Sequence, residues 1–274
     1  MDIRQALSTA NTLGLPRLEA QLLLLHSLGR AAHERAWLLA HDHDLLAEPA
    51  QTRYLALLQR RVAGEPLAYL TGVKEFYGLR LHVDARVLDP RPDTETLVDW
   101  ALQCLTTWTA PQVIDLGTGS GAIALALQHH RPDAQVSALD ASAEALAVAQ
   151  ANAQRLGLAV RFVQSDWLTG VTGRFALIVS NPPYIAEGDP HLPALAHEPR
   201  QALTAGADGL DDLRTIIRQA VPHLAPGGWL LLEHGWDQAD AVRSLLRSAG
   251  LGQVQSRTDL NGIERCSGGQ ASGS

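Results

Sequence analysis

The most constraining feature of the sequence is an apolar run that ends in two consecutive prolines. Residues 175–180 (Phe-Ala-Leu-Ile-Val-Ser) have the composition of a buried central strand. Asn181-Pro182-Pro183-Tyr184 follows directly. Because proline lacks a backbone N–H and has a fixed φ, the chain has to leave the sheet at Asn181. Ligands bind at the carboxyl ends of strands in open α/β sheets, so we expect this loop to belong to a functional site.

The chemistry of this loop suits a planar NH2 group. The Asn181 side-chain carbonyl and the Pro182 backbone carbonyl can accept both of its hydrogens. Tyr184 offers an aromatic face against which the group can lie. These residues predict a site for a side-chain amide or an exocyclic amine. On the tetrapeptide alone, a simple turn that ends the strand is an equally good interpretation.

A glycine-rich turn follows an earlier predicted strand. Residues 113–116 run into Gly117-Thr118-Gly119-Ser120-Gly121, and an apolar helix begins at Ala122. Glycines at a strand-to-helix turn let a ligand approach the backbone and the helix N-terminus closely. The next predicted strand ends at Asp140, about 20 residues after the turn, where such folds place a carboxylate on the ribose hydroxyls of an adenosine.

The glycine spacing favours one nucleotide class. A Gly-x-Gly-x-x-Gly turn would require glycine in place of Ala122, so the observed spacing favours S-adenosylmethionine over a dinucleotide. After another predicted strand at residues 160–163, Asp166 can accept from an adenine amino group and Trp167 can cover the ring. A loop acid beside a buried tryptophan is the equally weighted alternative.

The chain divides into segments of different pattern. Residues 1–72 contain only helical patterns and predict a small all-α bundle, whereas residues 93–274 alternate strands and helices and predict a Rossmann-like α/β sheet. Residues 73–92 predict a linker with a β-hairpin, whose strands we expect at 77–83 and 86–88. We expect the small, polar tail from Cys266 onward to fray.

Composition excludes several classes of function. Lys74 is the only lysine, so no Gly-Lys-Ser/Thr phosphate loop is present, and the net charge of −7 disfavours a partner bound mainly through phosphates. The two cysteines lie far apart and the eleven histidines lack ligand spacing, so we expect neither a disulfide scaffold nor a metal site. No membrane span or leader is recognisable, and we expect a cytoplasmic protein.

Together these motifs resemble the bacterial protein-(glutamine-N5) methyltransferases that modify peptide chain release factors, the PrmC/HemK family. The resemblance covers nearly the whole chain and rests on five segments: Asp115-Leu116, the turn at residues 117–121, Asp140, the loop at residues 181–184, and Pro90-Arg91-Pro92-Asp93-Thr94-Glu95. It implies a class I S-adenosylmethionine-dependent methyltransferase fold. It also implies that the acceptor is the glutamine of a Gly-Gly-Gln motif in class 1 release factors.

The resemblance also implies residue roles. The expected cofactor-binding residues are Gly117, Thr118, Gly119, Ser120, Gly121, Asp140, Asp166, Trp167 and Asn181. The expected substrate-binding residues are Asn181, Pro182, Pro183, Tyr184 and Arg91, of which Asn181, Pro182 and Tyr184 form the catalytic set. We expect a monomer that recognises its protein substrate through the helical bundle, without direct contact to nucleic acid.

Two positions depart from the resemblance. Asp89 stands where the family usually has an apolar residue, and the tail at residues 265–270 is less β-like than the family's closing strand. Gly268-Gly269-Gln270 in this tail also copies the acceptor motif. We interpret this copy as a chance match in a segment of small residues, with self-methylation or pseudosubstrate blocking as the alternative.

Three other functions stay open. An adenine-N6 methyltransferase would use the same loop for an exocyclic amine, but it needs a basic recognition surface that this acidic chain is not expected to carry. A glutamine methyltransferase of a ribosomal protein is a close variant. The third is a helical binding module on an inactive Rossmann scaffold, which the intact motifs disfavour.

Overall fold

The computed structural model describes residues 1–273, and in it the chain divides into two compact units. The first unit ends at Val73 and the second begins at Lys74. The first unit consists of the helices α1 (Ile3–Thr12), α2 (Arg17–Ser27), α3 (Arg35–Ala40), α4 (Glu48–Val62) and α5 (Leu67–Thr71).

The first helix is fixed at its start by a reciprocal cap. The Asp2 side chain accepts from the Gln5 backbone N–H at 2.7 Å, and the Gln5 side chain accepts from the Asp2 N–H at 3.0 Å. Such a capping box satisfies two backbone donors that a helix N-terminus otherwise leaves unpaired. The bundle core includes Leu23, Leu24 and Tyr54, all with no exposed surface.

A β-hairpin opens the second unit, but it lies earlier in the chain than the alternation predicts. Its strands are β1 (Val73–Phe76) and β2 (Leu79–His82). Tyr77 and Gly78 both have positive φ, 50° and 78°, which is the geometry of a two-residue hairpin turn. The expected strands at 77–83 and 86–88 are therefore wrong, because the predicted first strand contains the turn itself.

The second unit is built on a seven-stranded sheet of order β5-β4-β3-β6-β7-β9-β8. All neighbouring strands are parallel except around β9, which runs antiparallel to both β7 and β8. This architecture confirms the predicted Rossmann-like methyltransferase fold. The strands are β3 (Gln112–Leu116), β4 (Gln135–Asp140), β5 (Arg161–Gln164), β6 (Phe175–Ser180), β7 (Leu224–Glu233), β8 (Gly252–Thr258) and β9 (Glu264–Gln270).

Helices cover the sheet on both faces. They are α6 (Glu95–Cys104), α7 (Ala122–His130), α8 (Ala143–Leu156), α9 (Asp211–Ala220) and α10 (Ala239–Ser248). Side chains of α9 and α10, such as Ile216 and Val242, share a buried cluster with Leu230 of β7. On β7 the side chains alternate between faces, and Trp229 meets Trp100 of α6 edge to face at 6.0 Å between ring centroids.

The expectation that the tail frays is wrong, because β9 is a buried interior strand. A side chain at Gly268 would lie 2.4 Å from Leu231 Cδ2 and 3.0 Å from the Trp100 ring. A side chain at Gly269 would lie 2.9 Å from Leu251 Cβ. Glycine has a low intrinsic propensity for strands. Here the missing Cβ atoms let side chains on both faces of the sheet pack closely against β9.

Four parallel strands end along one row of the sheet. Leu116 of β3 pairs with Leu139 of β4 and with Ser180 of β6, and Ser180 pairs with Leu232 of β7. The residues that follow this row therefore meet at the same edge, and they are Gly117, Asp140, Asn181 and Glu233.

Candidate active site

A cavity of about 290 Å³ opens at this carboxyl edge of the sheet. Most of the predicted site residues line it: Gly117, Thr118, Gly119, Ser120, Asp140, Asp166, Trp167, Asn181 and Pro183. Residues 185–208 also contribute, through Pro199, Gln201 and Ala202. The structure thus brings the glycine turn and the Asn-Pro-Pro-Tyr loop to one cavity, although they are about 60 residues apart in sequence.

The glycine turn depends on backbone conformations that residues with a side chain rarely adopt. Gly117, Gly119 and Gly121 have φ of 68°, 54° and 84°, in the left-handed region. A Cβ at Gly117 would lie 3.3 Å from the Trp167 ring, and one at Gly121 would lie 3.0 Å from Leu125. The first contact shows that the Trp167 ring lies directly against the turn.

A buried carboxylate holds this turn from beneath. Asp115 Oδ2 accepts from the Thr118 hydroxyl at 2.7 Å and from the Ala124 N–H at 3.3 Å. Burial raises the pKa of Asp115 to about 7, against the opposing effect of these hydrogen bonds. Asp115 therefore connects β3, the turn and α7 without lining the cavity itself.

Asp140 is oriented by backbone donors. Its Oδ2 accepts from the Gly119 N–H and its Oδ1 from the Ser142 N–H, both at 2.9 Å. Burial raises its pKa, while these two hydrogen bonds oppose the rise. Each oxygen keeps a second lone pair, so the carboxylate can still accept from hydroxyl groups in the cavity.

Trp167 is held in an unusual backbone conformation. Its φ is 49°, which is uncommon for a bulky residue and is a feature that concentrates at ligand sites. Burial raises the pKa of Asp212 in α9, and hydrogen bonding from the neighbouring Trp167 side chain opposes the rise. Asp212 also lines the cavity. Sequence reasoning missed this residue, since an acid in the first turn of a helix looks like an ordinary helix-dipole partner.

Asn181 is fixed by a residue that sequence reasoning did not select. Its Nδ2 donates to Thr94 Oγ1 at 3.2 Å, across 87 positions of the sequence. Thr94 is buried and lines the same cavity. Because the amide nitrogen is committed to Thr94, the Asn181 Oδ1 remains as an acceptor for another group.

Four predicted residues do not line the cavity, and the first is Gly121, the N-cap of α7. Pro182 is buried, and the Tyr184 ring packs against the sheet core while its hydroxyl donates to Glu233 Oε1 at 3.3 Å. Burial, together with the nearby Glu233 charge, raises the pKa of Tyr184. Arg91 pairs with Glu198 and, at 3.6 Å, with Asp89. These positions make Tyr184 and Arg91 parts of the frame around the cavity.

The Arg91 pair ties down the long segment between β6 and α9. Glu198 is buried, contacts Arg91 and accepts from the Asp89 N–H at 3.3 Å. Asp89 itself, the departure noted in the sequence, is buried and paired with Lys74 at 3.2 Å. The polar segment is thereby anchored next to Pro199, which lines the cavity. No sequence signal distinguishes Glu198 from other acids of this segment.

Two absences concern the described part of the chain. Among residues 1–273, no group of three or more His, Cys, Asp or Glu side chains could hold a metal ion. In the same part of the chain, every helix is too short or too polar to span a bilayer.

The strand order, the glycine turn at the edge of β3 and the loop at the edge of β6 define a class I methyltransferase. Two domain families match: the PrmC N-terminal domain over residues 2–72 and the methyltransferase small domain over residues 94–206. The release factor glutamine methyltransferase of Bordetella pertussis is 54% identical over 93% of this chain and 95% of its own length. That of Escherichia coli is 45% identical over 96% of this chain and 95% of its own length. The chain therefore belongs to the release factor glutamine methyltransferase family.

Solved structures support the fold. A methyltransferase from Pyrococcus furiosus superposes with a TM-score of 0.55 over 81% of this chain and 99% of its own, at 19% identity. The hMettl16 catalytic domain, solved with an RNA hairpin, gives 0.58 over 83% of this chain and 82% of its own, at 16% identity. At such identities the likeness concerns the fold alone.

Proposed function

We propose that this enzyme transfers a methyl group from S-adenosylmethionine to the side-chain amide nitrogen of the glutamine in the Gly-Gly-Gln motif of class 1 peptide chain release factors. The observation that carries the proposal is the Asn181 amide, whose Nδ2 is held by Thr94 at 3.2 Å at the edge of the cavity. This orientation offers Oδ1 to a planar donor, and a glutamine amide is such a donor. The names of the relatives support the choice of acceptor.

The other side of the cavity fits S-adenosylmethionine. Gly117 and Gly119 leave room for close approach to the backbone, Asp140 has lone pairs free for ribose hydroxyls, and the Trp167 ring lies beside the turn. When bound, this cofactor supplies an electrophilic methyl group on a sulfonium centre. Asp166, which is exposed at the cavity, would accept from the adenine amino group.

The enzyme's task on the acceptor is orientation. An amide nitrogen is a poor nucleophile because its lone pair is delocalised into the carbonyl group. Asn181 Oδ1 and the Pro182 carbonyl would each accept one amide N–H, which raises the electron density on nitrogen and directs its lone pair toward the methyl group. Pro183 lines the cavity and would pack against the acceptor side chain. The methylated nitrogen is acidic and loses its proton, so no strong base is needed before attack.

The remaining features of the proposal concern partners. The helical bundle (residues 1–72) would recognise the release factor, and the enzyme would work as a cytoplasmic monomer. The net charge of −7 argues against adenine in DNA or RNA as the acceptor, since phosphate binding depends on Lys and Arg. A glutamine of a ribosomal protein remains the alternative within the same chemistry.

A methyl-transfer assay tests the proposal. The purified enzyme is given labelled S-adenosylmethionine with release factor, with release factor whose Gly-Gly-Gln glutamine is replaced by alanine, with ribosomal proteins, and with bulk DNA and RNA. We expect label on the intact release factor alone. Label on nucleic acid or on the alanine variant would refute the proposed acceptor.

A further inference from the structure

Glu233 is a buried acid at the cavity edge that the proposed reaction does not use directly. It is the last residue of β7 and is 2% exposed. Its Oε1 accepts from the Tyr184 hydroxyl at 3.3 Å, whereas Oε2 is buried without a well-formed hydrogen bond from any residue of the described chain. Leaving one carboxylate oxygen in this state is costly. A buried, half-satisfied acid beside a reaction site calls for an explanation.

Thr94 connects this carboxylate to Asn181. The Thr94 hydroxyl oxygen accepts from Asn181 Nδ2 at 3.2 Å, so its own proton has to be donated elsewhere. The buried Glu233 Oε2 is an acceptor without a partner, and Thr94 is among the groups whose hydrogen bonding lowers the pKa of Glu233. A donor direction from Asn181 to Thr94 and from Thr94 to Glu233 Oε2 would satisfy both the Thr94 proton and the open carboxylate oxygen.

We propose that Glu233 is a positioning residue that acts through Thr94 to keep the Asn181 Oδ1 turned toward the acceptor amide. The inference deepens the proposed function and rests on the acceptor role assigned there to Asn181. Thr94 is the second positioning residue, and the Tyr184 hydroxyl donates a hydrogen bond to the other carboxylate oxygen, Oε1.

The direction of the hydrogen bonds depends on the charge of Glu233. An ionised carboxylate only accepts, so the Thr94 proton points to it and the Thr94 oxygen stays free for Asn181 Nδ2. A protonated Glu233 can donate to that oxygen instead, which turns the Thr94 proton toward Asn181. Asn181 would then present Oδ1 to Thr94, and the acceptor amide would lose its partner. The ionised form is therefore the active one.

The groups around Glu233 set the pH range of this effect. Burial raises its pKa to about 7, Thr94 and Tyr184 oppose the rise, and the charges of Asp93 and Arg265 act in opposite directions. Cys266 of β9 is the strand partner of Glu233 in β7. Burial raises the pKa of the Cys266 thiol to about 12, so the thiol stays neutral over this pH range. We expect transfer to increase with pH through about 7.

The first experiment compares Glu233→Gln with the wild type in steady-state methylation of release factor between pH 5.5 and 8.5. In the variant we expect kcat to fall about 100-fold, as for a misplaced catalytic group, and the acid limb near pH 7 to disappear. KM for release factor and the Kd for S-adenosylmethionine should change less than about threefold. Glu264→Gln makes the same chemical change on the neighbouring strand at a partly exposed carboxylate that pairs with Arg243, and should behave as the wild type.

A second pair of variants keeps the test decisive if Glu233→Gln folds poorly. Thr94→Val removes the hydroxyl at nearly constant volume and should lose kcat to a similar extent, whereas Thr94→Ser should recover it. Asp115 also titrates near pH 7, so an acid limb that persists in Glu233→Gln would belong to Asp115 and would overturn the inference. Thr94→Val with wild-type kcat would overturn it too. If the wild type itself does not methylate release factor, it is the proposed function that fails.

Discussion

The two sides of the cavity are built by different means. On the donor side, left-handed glycines within one short stretch, residues 117–121, shape the proposed binding surface, and the Gly119 and Ser142 N–H groups hold Asp140 beside it. On the acceptor side, the surface depends on side chains from three distant segments, namely Thr94, Asn181 with Tyr184, and Glu233. A backbone-built surface is rigid by construction, whereas a side-chain network works only when each member is satisfied. The acceptor side should therefore be far more sensitive to single side-chain changes.

The largest expected effect tests the acceptor side. Asn181→Ala removes the only side-chain acceptor that we assign to the glutamine amide, and we expect transfer to fall at least about 1,000-fold. Cofactor binding should weaken by less than about tenfold, because the glycine turn and Asp140 are unchanged. Calorimetric titration with S-adenosylmethionine, alongside a transfer assay, measures both quantities.

The control for this variant is Asn261→Ala, since Asn261 is an exposed residue of the β8–β9 turn. It should retain full transfer. If Asn181→Ala abolished cofactor binding altogether, Asn181 would belong to the donor side and the comparison between the two sides would fail.

The next effect concerns the energetic cost of the acceptor network. Burial raises the pKa of Glu233 from 4.5 to about 7, so its proton is held more tightly in the folded state. Its contribution to stability is therefore fully present below pH 4.5 and is lost as pH rises through about 7. Glu233→Gln removes this loss and should be more stable than the wild type by about 3 kcal/mol at pH 8.

Chemical denaturation at pH 8 and pH 4.5 checks this sign. The difference between variant and wild type should be larger at pH 8, and subtracting the two proteins cancels the contribution of Asp115, whose pKa is raised in the same direction. A variant that is less stable by the same amount at both pH values would show that Glu233 is a purely structural residue. If Glu233→Gln is instead more stable and transfers the methyl group more slowly, Glu233 lowers stability for the sake of activity, as functional residues often do.

A smaller effect tests the donor side. Gly117→Ala places a methyl group 3.3 Å from the Trp167 ring at a φ of 68°. We expect the Kd for S-adenosylmethionine to rise about tenfold, because both strain and contact are modest. Gly250→Ala is the matched control, since Gly250 has a φ of 86° with open space around it at the α10–β8 turn. It should lose stability without a change in Kd.

The sequence predicts the donor side better than the acceptor side for a physical reason. Gly117, Gly119 and Asp140 carry their geometry in local spacing, and the structure brings them to one cavity. Thr94 lies in the motif at residues 90–95 and Glu233 in no motif, and nothing local gives either residue a role at the site. The roles proposed for them arise only because β6 and β7 end side by side. The hairpin at Tyr77 was misplaced since positive φ at a tyrosine is rare. Strand β9 was missed because its glycines are favoured by packing against Trp100 and Leu251 rather than by strand propensity.

The smallest expected effect is none, and it concerns the copy of the acceptor motif in β9. Gln270 pairs with Trp229, whereas Cys266 pairs with Glu233, so Gln270 lies at the end of the sheet opposite the cavity. Its amide nitrogen donates to the Gly227 carbonyl at 2.8 Å, and its carbonyl accepts from Gln253 at 2.6 Å. Gln270 lies four residues after Cys266 in the strand, which separates the two by roughly 13 Å. Mass spectrometry after incubation with S-adenosylmethionine should find no methyl group on Gln270, and Gln270→Ala should methylate release factor at the wild-type rate. A methylated Gln270 would require the interior strand β9 to leave the sheet. Both sides of the cavity would then belong to a sheet that opens, and the contrast between a preformed donor side and an acceptor side built from side chains would fail.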